Sequence, residues 1–298
     1  MKVRAYLPGG SAGERVAAVV GLVSDTHFPQ RCRELPPAIF ELLAGVNLIL
    51  HAGDVGELRV LDDLSRIAPV VAVHGNDETA EAQRELPYQQ VVSVAGTRIF
   101  LWHSHYSDPT AEHASRISND MPPKFARTVA AAQGAGATLA VFGHWHIPLV
   151  YRCDGVTLVN PGALASGNEF TRQLIQTVAL LFLTQDGGQH IVHIDLAAPA
   201  QPFDPGVDVQ ASFDVALKRY SASIVTPELM AAVPELRALL TPEEFGCVRR
   251  SIAKLAHRCW AGELPLLDRA LVWAQLESDE DVPVGVRGKL ADSFGRNV

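Results

Sequence analysis

The sequence lacks a long apolar run, a cysteine framework and an excess of positive charge. No apolar run reaches the roughly 20 residues that a membrane-spanning helix needs. The four cysteines are widely scattered and no two have C-x-x-C spacing, which argues against a zinc knuckle or a disulfide framework and predicts reduced thiols in a cytosolic protein. The chain has 25 Lys and Arg residues against 33 Asp and Glu residues, a formal net charge of −8. The molecule as a whole therefore has no field that would attract a nucleic-acid backbone.

The composition is that of a folded globular protein. Of the 298 residues, 48% are hydrophobic and 19% are charged, which argues against a disordered or collagen-like chain. This length fits one large domain or two ordinary ones. The apolar run Val16–Val23 is short, lacks a small-residue cleavage site and is followed by Ser-Asp-Thr-His. We therefore interpret it as a buried strand and not as part of a signal peptide.

Short apolar runs alternate with helical patterns between residues 16 and 196. Residues 16–23, 46–50 and 70–73 are predicted strands, and residues 38–44 and 57–66 between them have helical patterns. This rhythm is typical of a largely parallel, buried sheet. Three further pairs of apolar runs flank Gly96-Thr97, Asp154-Gly155 and Asp186-Gly187, which predicts hairpins. Together with a helix over residues 124–133 and a strand over residues 139–142, the pattern predicts an α/β core with antiparallel additions.

The Ala- and Pro-rich stretch at residues 197–205 has the composition of a linker. We predict a loose N-terminal arm over residues 1–15, a core over residues 16–198 and a helical C-terminal extension over residues 206–298, which lacks strand patterns. Within the extension, Thr241-Pro242-Glu243-Glu244 predicts a helix start with a capping box. The extension could cover the core, form a homo-oligomer interface or act as a lid.

Polar residues with metal-binding side chains follow each strand of the predicted sheet. Because ligand sites form at the carboxyl edge of such sheets, these side chains are predicted to converge. The candidates are two carboxylates, one amide and four imidazoles: Asp25, His27, Asp54, Asn76, His103, His144 and His146. Mixed nitrogen and oxygen ligands suit Mn, Fe or Zn better than Mg or Ca, which prefer oxygen.

In order along the chain, Asp-x-His, Gly-Asp, Gly-Asn, His and Gly-His-x-His resemble the motifs of the calcineurin-like metallophosphoesterases. Their short spacing resembles the small bacterial and archaeal phosphodiesterases of that superfamily, whose fold is shared with the retromer scaffold subunit. Asn160-Pro161-Gly162 strengthens the likeness, although Ala163 stands where that subgroup usually has Ser. The resemblance covers residues 16–196. It implies a two-sheet α/β sandwich core, to which the C-terminal helices are added.

The resemblance also implies two divalent metal ions, most often Mn, with Fe or Zn as alternatives. One ion would be held by Asp25, His27, Asp54 and His146, and the other by Asp54, Asn76, His103 and His144. Asp54 would bridge the two ions, since a carboxylate has two oxygens. The implied reaction is hydrolysis of a phosphodiester, either a small molecule or a nucleotide, by in-line attack of a metal-bridging hydroxide. Asn76 would help to balance charge on the phosphate oxygens.

Three positions depart from the commonest pattern or leave a role open. Many relatives have His after Gly-Asn as the general acid, whereas this chain has Asp77. Asp77 would be either a proton donor of raised pKa or a loop carboxylate that orients a ligand. His105, in His103-Ser104-His105, would contact either the substrate or a residue behind the ligands, and the resemblance adds His103 to the substrate-binding candidates. Trp145 is predicted to line the mouth of the site, with core packing as the alternative.

The main hypothesis is a two-metal phosphodiesterase acting on a small phosphate ester, without membrane or nucleic-acid partners. The alternative from another class is a non-catalytic, metal-binding scaffold like the retromer relative. A scaffold need not keep a complete set of ligands, and this chain has one. A nuclease is a third alternative, against which the acidic charge argues.

Overall fold

The computed structural model describes residues 3–7 and 15–295. The chain forms two compact units. The first, called the core unit, comprises Met1–Gly167 and Gln173–Ser221, and the second, called the helical unit, comprises Asn168–Arg172 and Ala222–Val298. Residues 206–221, which the sequence analysis placed in the C-terminal extension, group with the core unit.

The first sheet of the core unit has five strands in the order β11-β10-β1-β2-β3. Strands β1, β2 and β3 run parallel, while β10 is antiparallel to both β1 and β11. Their bounds are β1 Val16–Val23, β2 Leu48–His51, β3 Val70–Ala72, β10 Thr177–Thr184 and β11 Gln189–Asp195.

The second sheet also has five strands, in the order β4-β5-β6-β8-β7. Strands β5, β6 and β8 are parallel, and the hairpin partners β4 and β7 are antiparallel to β5 and β8. Their bounds are β4 Gln89–Val94, β5 Thr97–Trp102, β6 Leu139–Phe142, β7 Leu149–Cys153 and β8 Val156–Asn160. The predicted hairpins at Gly96-Thr97, Asp154-Gly155 and Asp186-Gly187 are all confirmed.

The two sheets pack face to face. Alternate residues of each central strand enter one shared apolar cluster, in which Leu22 and Leu50 of the first sheet meet Leu101 and Val141 of the second. The intervening residues point outward and are covered by helices. This arrangement explains why the central strands β1, β6 and β10 are continuous apolar runs, since most of their residues on both faces are buried.

Helices cover the outer face of each sheet. Ile39 and Leu64 lie in the apolar cluster on the first sheet, and Phe125 and Val129 lie in the cluster on the second. The helices of the core unit are α1 Ala38–Leu42, α2 Arg59–Ser65, α3 Ala80–Glu85, α4 Pro109–Ile117, α5 Met121–Gly134 and α6 Phe213–Lys218. The resulting order of helix, sheet, sheet and helix is the predicted two-sheet α/β sandwich, and helices follow it toward the C-terminus as predicted.

The helical unit has its own apolar core. Leu255, Cys259, Val272 and Leu276 are buried in it. Its helices are α7 Pro227–Ala238, α8 Pro242–Trp260, α9 Arg269–Ser278 and α10 Val284–Gly295. The predicted capping box at Thr241 and Glu244 is present. The expectation that residues beyond 205 contain no strand is wrong, because Ser221–Ser223 forms β12, which pairs with β9, Thr171–Gln173.

The predicted arm over residues 1–15 lies partly outside the described residues. Its described part contains a short 3-10 helix, Val3–Tyr6, and the side chains of Val3 and Tyr6 are buried in the core unit. Among residues 3–7 and 15–295, no helix is both long enough and apolar enough to cross a membrane.

Candidate metal centre

The predicted ligands lie in loops at the carboxyl ends of strands from both sheets. Asp25 and Asp54 follow β1 and β2 of the first sheet, whereas His103 and His144 follow β5 and β6 of the second. Asp25, Asp54 and His103 are almost fully buried. The face-to-face packing of the sheets thus brings loops from distant parts of the chain to one end of the sandwich.

Asp25, His27 and His146 form a first group that could hold a metal ion. The Nε2 atoms of His27 and His146 lie 3.3 Å apart. Asp25 Oδ1 lies 3.2 Å from His146 Nε2 and 3.9 Å from His27 Nε2. Three donor atoms therefore converge on a small buried volume, as ligands of a cation do.

Asp54, His103 and His144 form a second group that could hold a metal ion. Asp54 Oδ2 lies 3.2 Å from His103 Nε2, yet this nitrogen is buried and makes no hydrogen bond of normal geometry within the described part of the chain. A buried nitrogen without a partner carries a desolvation cost that a bound cation would remove. The donor set and this orphaned nitrogen fit a divalent transition metal.

Asp54 connects the two groups. Its Oδ2 atom lies 3.5 Å from His27 Nε2 in the first group and 3.2 Å from His103 Nε2 in the second. Its Oδ1 atom accepts a hydrogen bond of 2.8 Å from the backbone N–H of Asp77. The carboxylate is thus held at one oxygen and directed at both groups with the other.

Backbone carbonyls set the tautomers of two of the imidazoles. His103 Nδ1 donates to Ala52 O over 2.7 Å, and His146 Nδ1 donates to Ala165 O over 3.0 Å. With Nδ1 protonated in a neutral ring, Nε2 keeps its lone pair toward the buried carboxylates, which is the state a metal ligand needs.

Three glycines make room for the ligands. A Cβ atom on Gly53 would come within 2.6 Å of the His103 ring, and one on Gly75 would lie 2.0 Å from Asp54 Oδ1. A Cβ on Gly143 would lie 2.9 Å from Asp25 Oδ2. The glycines of Gly-Asp, Gly-Asn and Gly-His-x-His therefore let one strand-end loop approach the ligand of another.

Backbone strain is concentrated at the same residues. Asp25, His27, Asp54, His144 and His146 all have positive φ, between 44° and 71°. This left-handed conformation costs a non-glycine residue about 1–3 kcal/mol and is typical of functional sites.

The buried charges shift one another's pKa values. Burial alone would raise the pKa of Asp25, but the neighbouring His146 and His103 lower it to about 2. Against the same effect of burial, His103 and His27 hold the pKa of Asp54 well below its usual range. Burial disfavours the charged form of His103, yet the Asp54 and Asp25 carboxylates raise its pKa to about 10. The two carboxylates therefore favour a positive charge at His103 Nε2. Either a proton or a metal ion can supply this charge.

The loop that carries Asn76 lies against Asp54 on both sides of this residue. Gly75 leaves no room for a side chain beside the Asp54 carboxylate, and the Asp77 backbone N–H donates to that carboxylate. The Asn76 side chain is exposed, and its role as a ligand stays a prediction. Glu78 ties this loop to the Gly-Asp loop, since its carboxylate accepts N–H bonds from Gly75 at 2.9 Å and from Val55 and Gly56 at 2.9 Å and 2.6 Å.

Asp77 forms an ion pair with Arg31 behind His27. Arg31 Nη2 donates to Asp77 Oδ2, and Arg31 Nη1 lies 3.2 Å from Ser166 O and 2.8 Å from His27 Nδ1. Asp77 Oδ2 also lies 3.3 Å from His27 Nδ1. The neighbouring His27 and the charge of Arg31 lower the pKa of Asp77, so these contacts favour a carboxylate that orients His27 over a proton donor.

His105 lies behind His103 in an aromatic cluster. Its ring centroid is 5.5 Å from that of His103 and 4.9 Å from that of Tyr88. Only 5% of its surface is exposed, and burial lowers its pKa to about 3. Arg127 holds the same loop by donating to Ser104 O over 2.6 Å and to His105 O over 2.9 Å. Contact of His105 with a substrate stays a prediction.

The structure adds site residues that the sequence analysis missed and corrects one. Glu112 on α4 lies 3.0 Å from His144 Nε2, and Arg31 and Glu78 contact the site as described. Asp108-Pro109 is a helix-start signal that could have located α4, but nothing in it identifies Glu112 as a partner of His144. The expectation that Trp145 lines the mouth is wrong: its ring is 5% exposed and packs against Phe125 and Phe142 in the core.

Comparison with known proteins identifies the family. The sequence model of the calcineurin-like phosphoesterase superfamily domain matches residues 19–186, more than half of the chain. The chain belongs to this superfamily, and the match includes the whole second sheet, the first sheet except β11 and the start of β1, and the loops that carry Asp25, Asp54, His103 and His144.

Two archaeal relatives agree with this assignment. A protein of Methanocaldococcus jannaschii described as a probable metallophosphoesterase is 30% identical over 147 residues, which cover 49% of this chain and 67% of that protein. A protein of Methanothermobacter thermautotrophicus with the same description is 30% identical over 146 residues, covering 49% of this chain and 76% of that protein.

Among solved structures, Vps29 of Cryptosporidium parvum matches with a TM-score of 0.44 and 20% identity, covering 60% of this chain and 98% of that one. The Zn²⁺ complex of Vps29 from Entamoeba histolytica matches with a TM-score of 0.41 and 18% identity, covering 60% and 99%.

Proposed function

We propose that the protein is a two-metal phosphoesterase that hydrolyses phosphodiesters. The observation that carries the proposal is the position of Asp54, whose Oδ2 atom lies 3.5 Å from His27 Nε2 and 3.2 Å from His103 Nε2. One buried carboxylate oxygen is thereby shared by two groups of metal-binding side chains. This is the arrangement expected when two cations have one common ligand.

The first cation would be held by Asp25, His27, Asp54 and His146, and the second by Asp54, Asn76, His103 and His144. Manganese is the proposed metal, and iron and zinc accept the same ligand types. Two such cations supply a water of lowered pKa and a Lewis acid for the phosphate oxygens. They also offset the charges of Asp25 and Asp54, which are buried with 0% and 3% exposure.

The chain's own residues fix the site before any ligand arrives. The carbonyls of Ala52 and Ala165 hold the rings of His103 and His146 with Nε2 toward the carboxylates. Glu78 ties the Gly-Asp and Gly-Asn loops together through its backbone bonds. Preorganised donors of this kind need little rearrangement during the reaction, which is where much of the rate enhancement of such sites originates.

Asp77 stands at the position of the general acid, and its charge determines which leaving groups we propose for the substrate. Asp77, at the position after Gly-Asn, is paired with Arg31 and has a lowered pKa. An ionised carboxylate cannot protonate a departing alkoxide, so the proposed substrates are diesters whose leaving groups are acidic enough to depart without a proton. The chain shares the lack of His at this position with the small phosphodiesterases that its motifs resemble.

The test compares hydrolysis of bis(p-nitrophenyl) phosphate with that of the monoester p-nitrophenyl phosphate. Protein stripped with a chelator is assayed before and after addition of Mn²⁺. We expect diester hydrolysis that appears only with metal and exceeds monoester hydrolysis in kcat/KM.

Two controls make this experiment decisive. Asp62→Asn changes an exposed carboxylate on α2 and should behave as the wild type, whereas Asp54→Asn should be inactive. If the wild type binds Mn²⁺ but hydrolyses neither ester, the enzyme proposal is overturned in favour of a metal-binding scaffold. If the monoester is the better substrate, the diester assignment is wrong.

A further inference from the structure

Glu112 is a partly buried acidic side chain next to His144, a predicted ligand of the second group. It lies on α4, Pro109–Ile117, a helix whose N-cap is Asp108. Its Oε2 atom accepts a hydrogen bond of 2.9 Å from the backbone N–H of Tyr106. Its Oε1 atom lies 3.0 Å from His144 Nε2, although it makes no hydrogen bond of normal geometry within the described part of the chain, and the two side chains are 13% and 14% exposed.

The partner of His144 differs in kind from those of His103 and His146. His103 and His146 donate Nδ1–H to backbone carbonyls, of Ala52 and Ala165, so their Nε2 atoms are directed at the carboxylates. His144 has the carboxylate of Glu112 at Nε2 instead. An N–H at Nε2 would leave Nδ1 of the neutral ring with its lone pair available to a cation.

The backbone of His144 is held from the other side. Its N–H donates to the Asp25 carboxylate at 3.2 Å and 3.1 Å from the two oxygens, and its φ of 71° is in the left-handed region. The main chain of His144 is therefore tied to the first group of ligands, while Glu112 faces the far nitrogen of its ring. These contacts leave the ring little freedom to turn.

We propose that Glu112 is a positioning residue that holds the His144 ring through Nε2 and thereby directs Nδ1 to the cation of the second group. The inference rests on the proposed two-metal function. A carboxylate at the far nitrogen fixes the tautomer of a metal-binding His and makes it a better donor, and loss of such a partner typically weakens metal binding about 10- to 100-fold.

Removal of the Glu112 carboxylate should weaken the binding of only one of the two cations. Glu112→Gln keeps an acceptor for the Tyr106 N–H but removes the charge facing His144. Titration of chelator-stripped protein with Mn²⁺, followed by calorimetry, should show one site weakened about 10- to 100-fold and the other site unchanged. Glu81→Gln, an exposed Glu on α3, is the matched control and should bind as the wild type. Equal weakening of both sites, or of neither, would overturn the proposal.

A second measurement needs no variant. In ¹⁵N-histidine-labelled wild-type protein loaded with Zn²⁺, which is diamagnetic, the His144 ring should carry its proton on Nε2. Nitrogen shifts that place the proton on Nδ1 would overturn the proposal even if Glu112→Gln binds metal weakly.

The two proposals fail in distinguishable ways. A wild-type protein that binds two cations, with His144 protonated at Nε2, but hydrolyses no ester would refute the enzyme and retain Glu112 in its role. A protein that hydrolyses the diester while Glu112→Gln keeps both wild-type affinities would refute the role of Glu112 alone.

Discussion

Replacing Gly75 with Ala tests whether the position of Asp54 controls the site. Gly75 has no positive φ, so its backbone conformation suits alanine, and the effect of the substitution must come from the added methyl group. That Cβ would lie 2.0 Å from Asp54 Oδ1 and 2.5 Å from Asp54 N. Both distances are below the 3.0 Å that real Cβ contacts respect.

The size of the clash sets the expected loss. Oδ1 must move by about 1 Å, and a displacement of this size at a reacting group costs about 100-fold in rate. The shift would also disturb the bond between Asp54 Oδ1 and the Asp77 N–H, which directs Oδ2 at both groups. We therefore expect kcat/KM for bis(p-nitrophenyl) phosphate to fall about 100-fold and Mn²⁺ affinity to fall about 10- to 100-fold.

Gly134→Ala provides the matched control. Gly134 is the last residue of α5, and a Cβ there would meet nothing within 4 Å. This variant should keep its activity and its metal affinity, with a gain in stability of about 0.4–1 kcal/mol. Ester hydrolysis and calorimetric Mn²⁺ titration are measured on both variants and the wild type. A Gly75→Ala protein with wild-type kcat/KM and wild-type metal affinity would show that the position of Asp54 does not control the site.

Three further predictions concern single side chains. Asp54→Asn should lose bound metal and diester hydrolysis together, and full metal content by elemental analysis would contradict its shared role. Burial lowers the pKa of His193 to about 4, and its Nε2 donates to Asn160 O. The stabilisation of the folded protein by neutral His193 is therefore complete above about pH 6.5 and is lost as the pH falls toward 4. Acidification from pH 7 to pH 5 should cost the wild type about 2 kcal/mol more than His193→Gln in urea unfolding, and equal losses would be the contrary result. Thr241→Ala removes the side-chain acceptor of the capping box with Glu244 and should destabilise the helical unit by about 1 kcal/mol. The loss should be visible as a lower thermal midpoint of unfolding. An unchanged midpoint would show that the cap does not stabilise α8.

The strands were the most predictable part of the fold. Strands β1 and β6 have the predicted bounds, Val16–Val23 and Leu139–Phe142, because burial of both faces makes each a continuous apolar run. Helix α4 had no such signal, since none of its residues is buried. Strand β12 has only three residues, Ser-Ala-Ser, and this short polar composition does not predict a strand.

The residues facing the site were predictable only where a motif marked them. Asp25 and His27 belong to one short motif, and they converge with His146 because the two sheets pack face to face. Glu112 and Arg31 contact the site through distances that only the folded chain defines, and no local pattern connects Glu112 with His144. Trp145 lies within a motif, yet its neighbours in space make it a core residue.

The most direct test of the central claim is the number of Mn²⁺ ions that one chain binds. Chelator-stripped protein is dialysed against Mn²⁺, and the bound metal is measured per chain for the wild type and for Asp54→Asn. We expect two ions per wild-type chain and a marked loss of bound metal from Asp54→Asn, because both groups of ligands use Asp54. A wild-type chain that binds one ion or none, or an Asp54→Asn chain that still binds two, would contradict it.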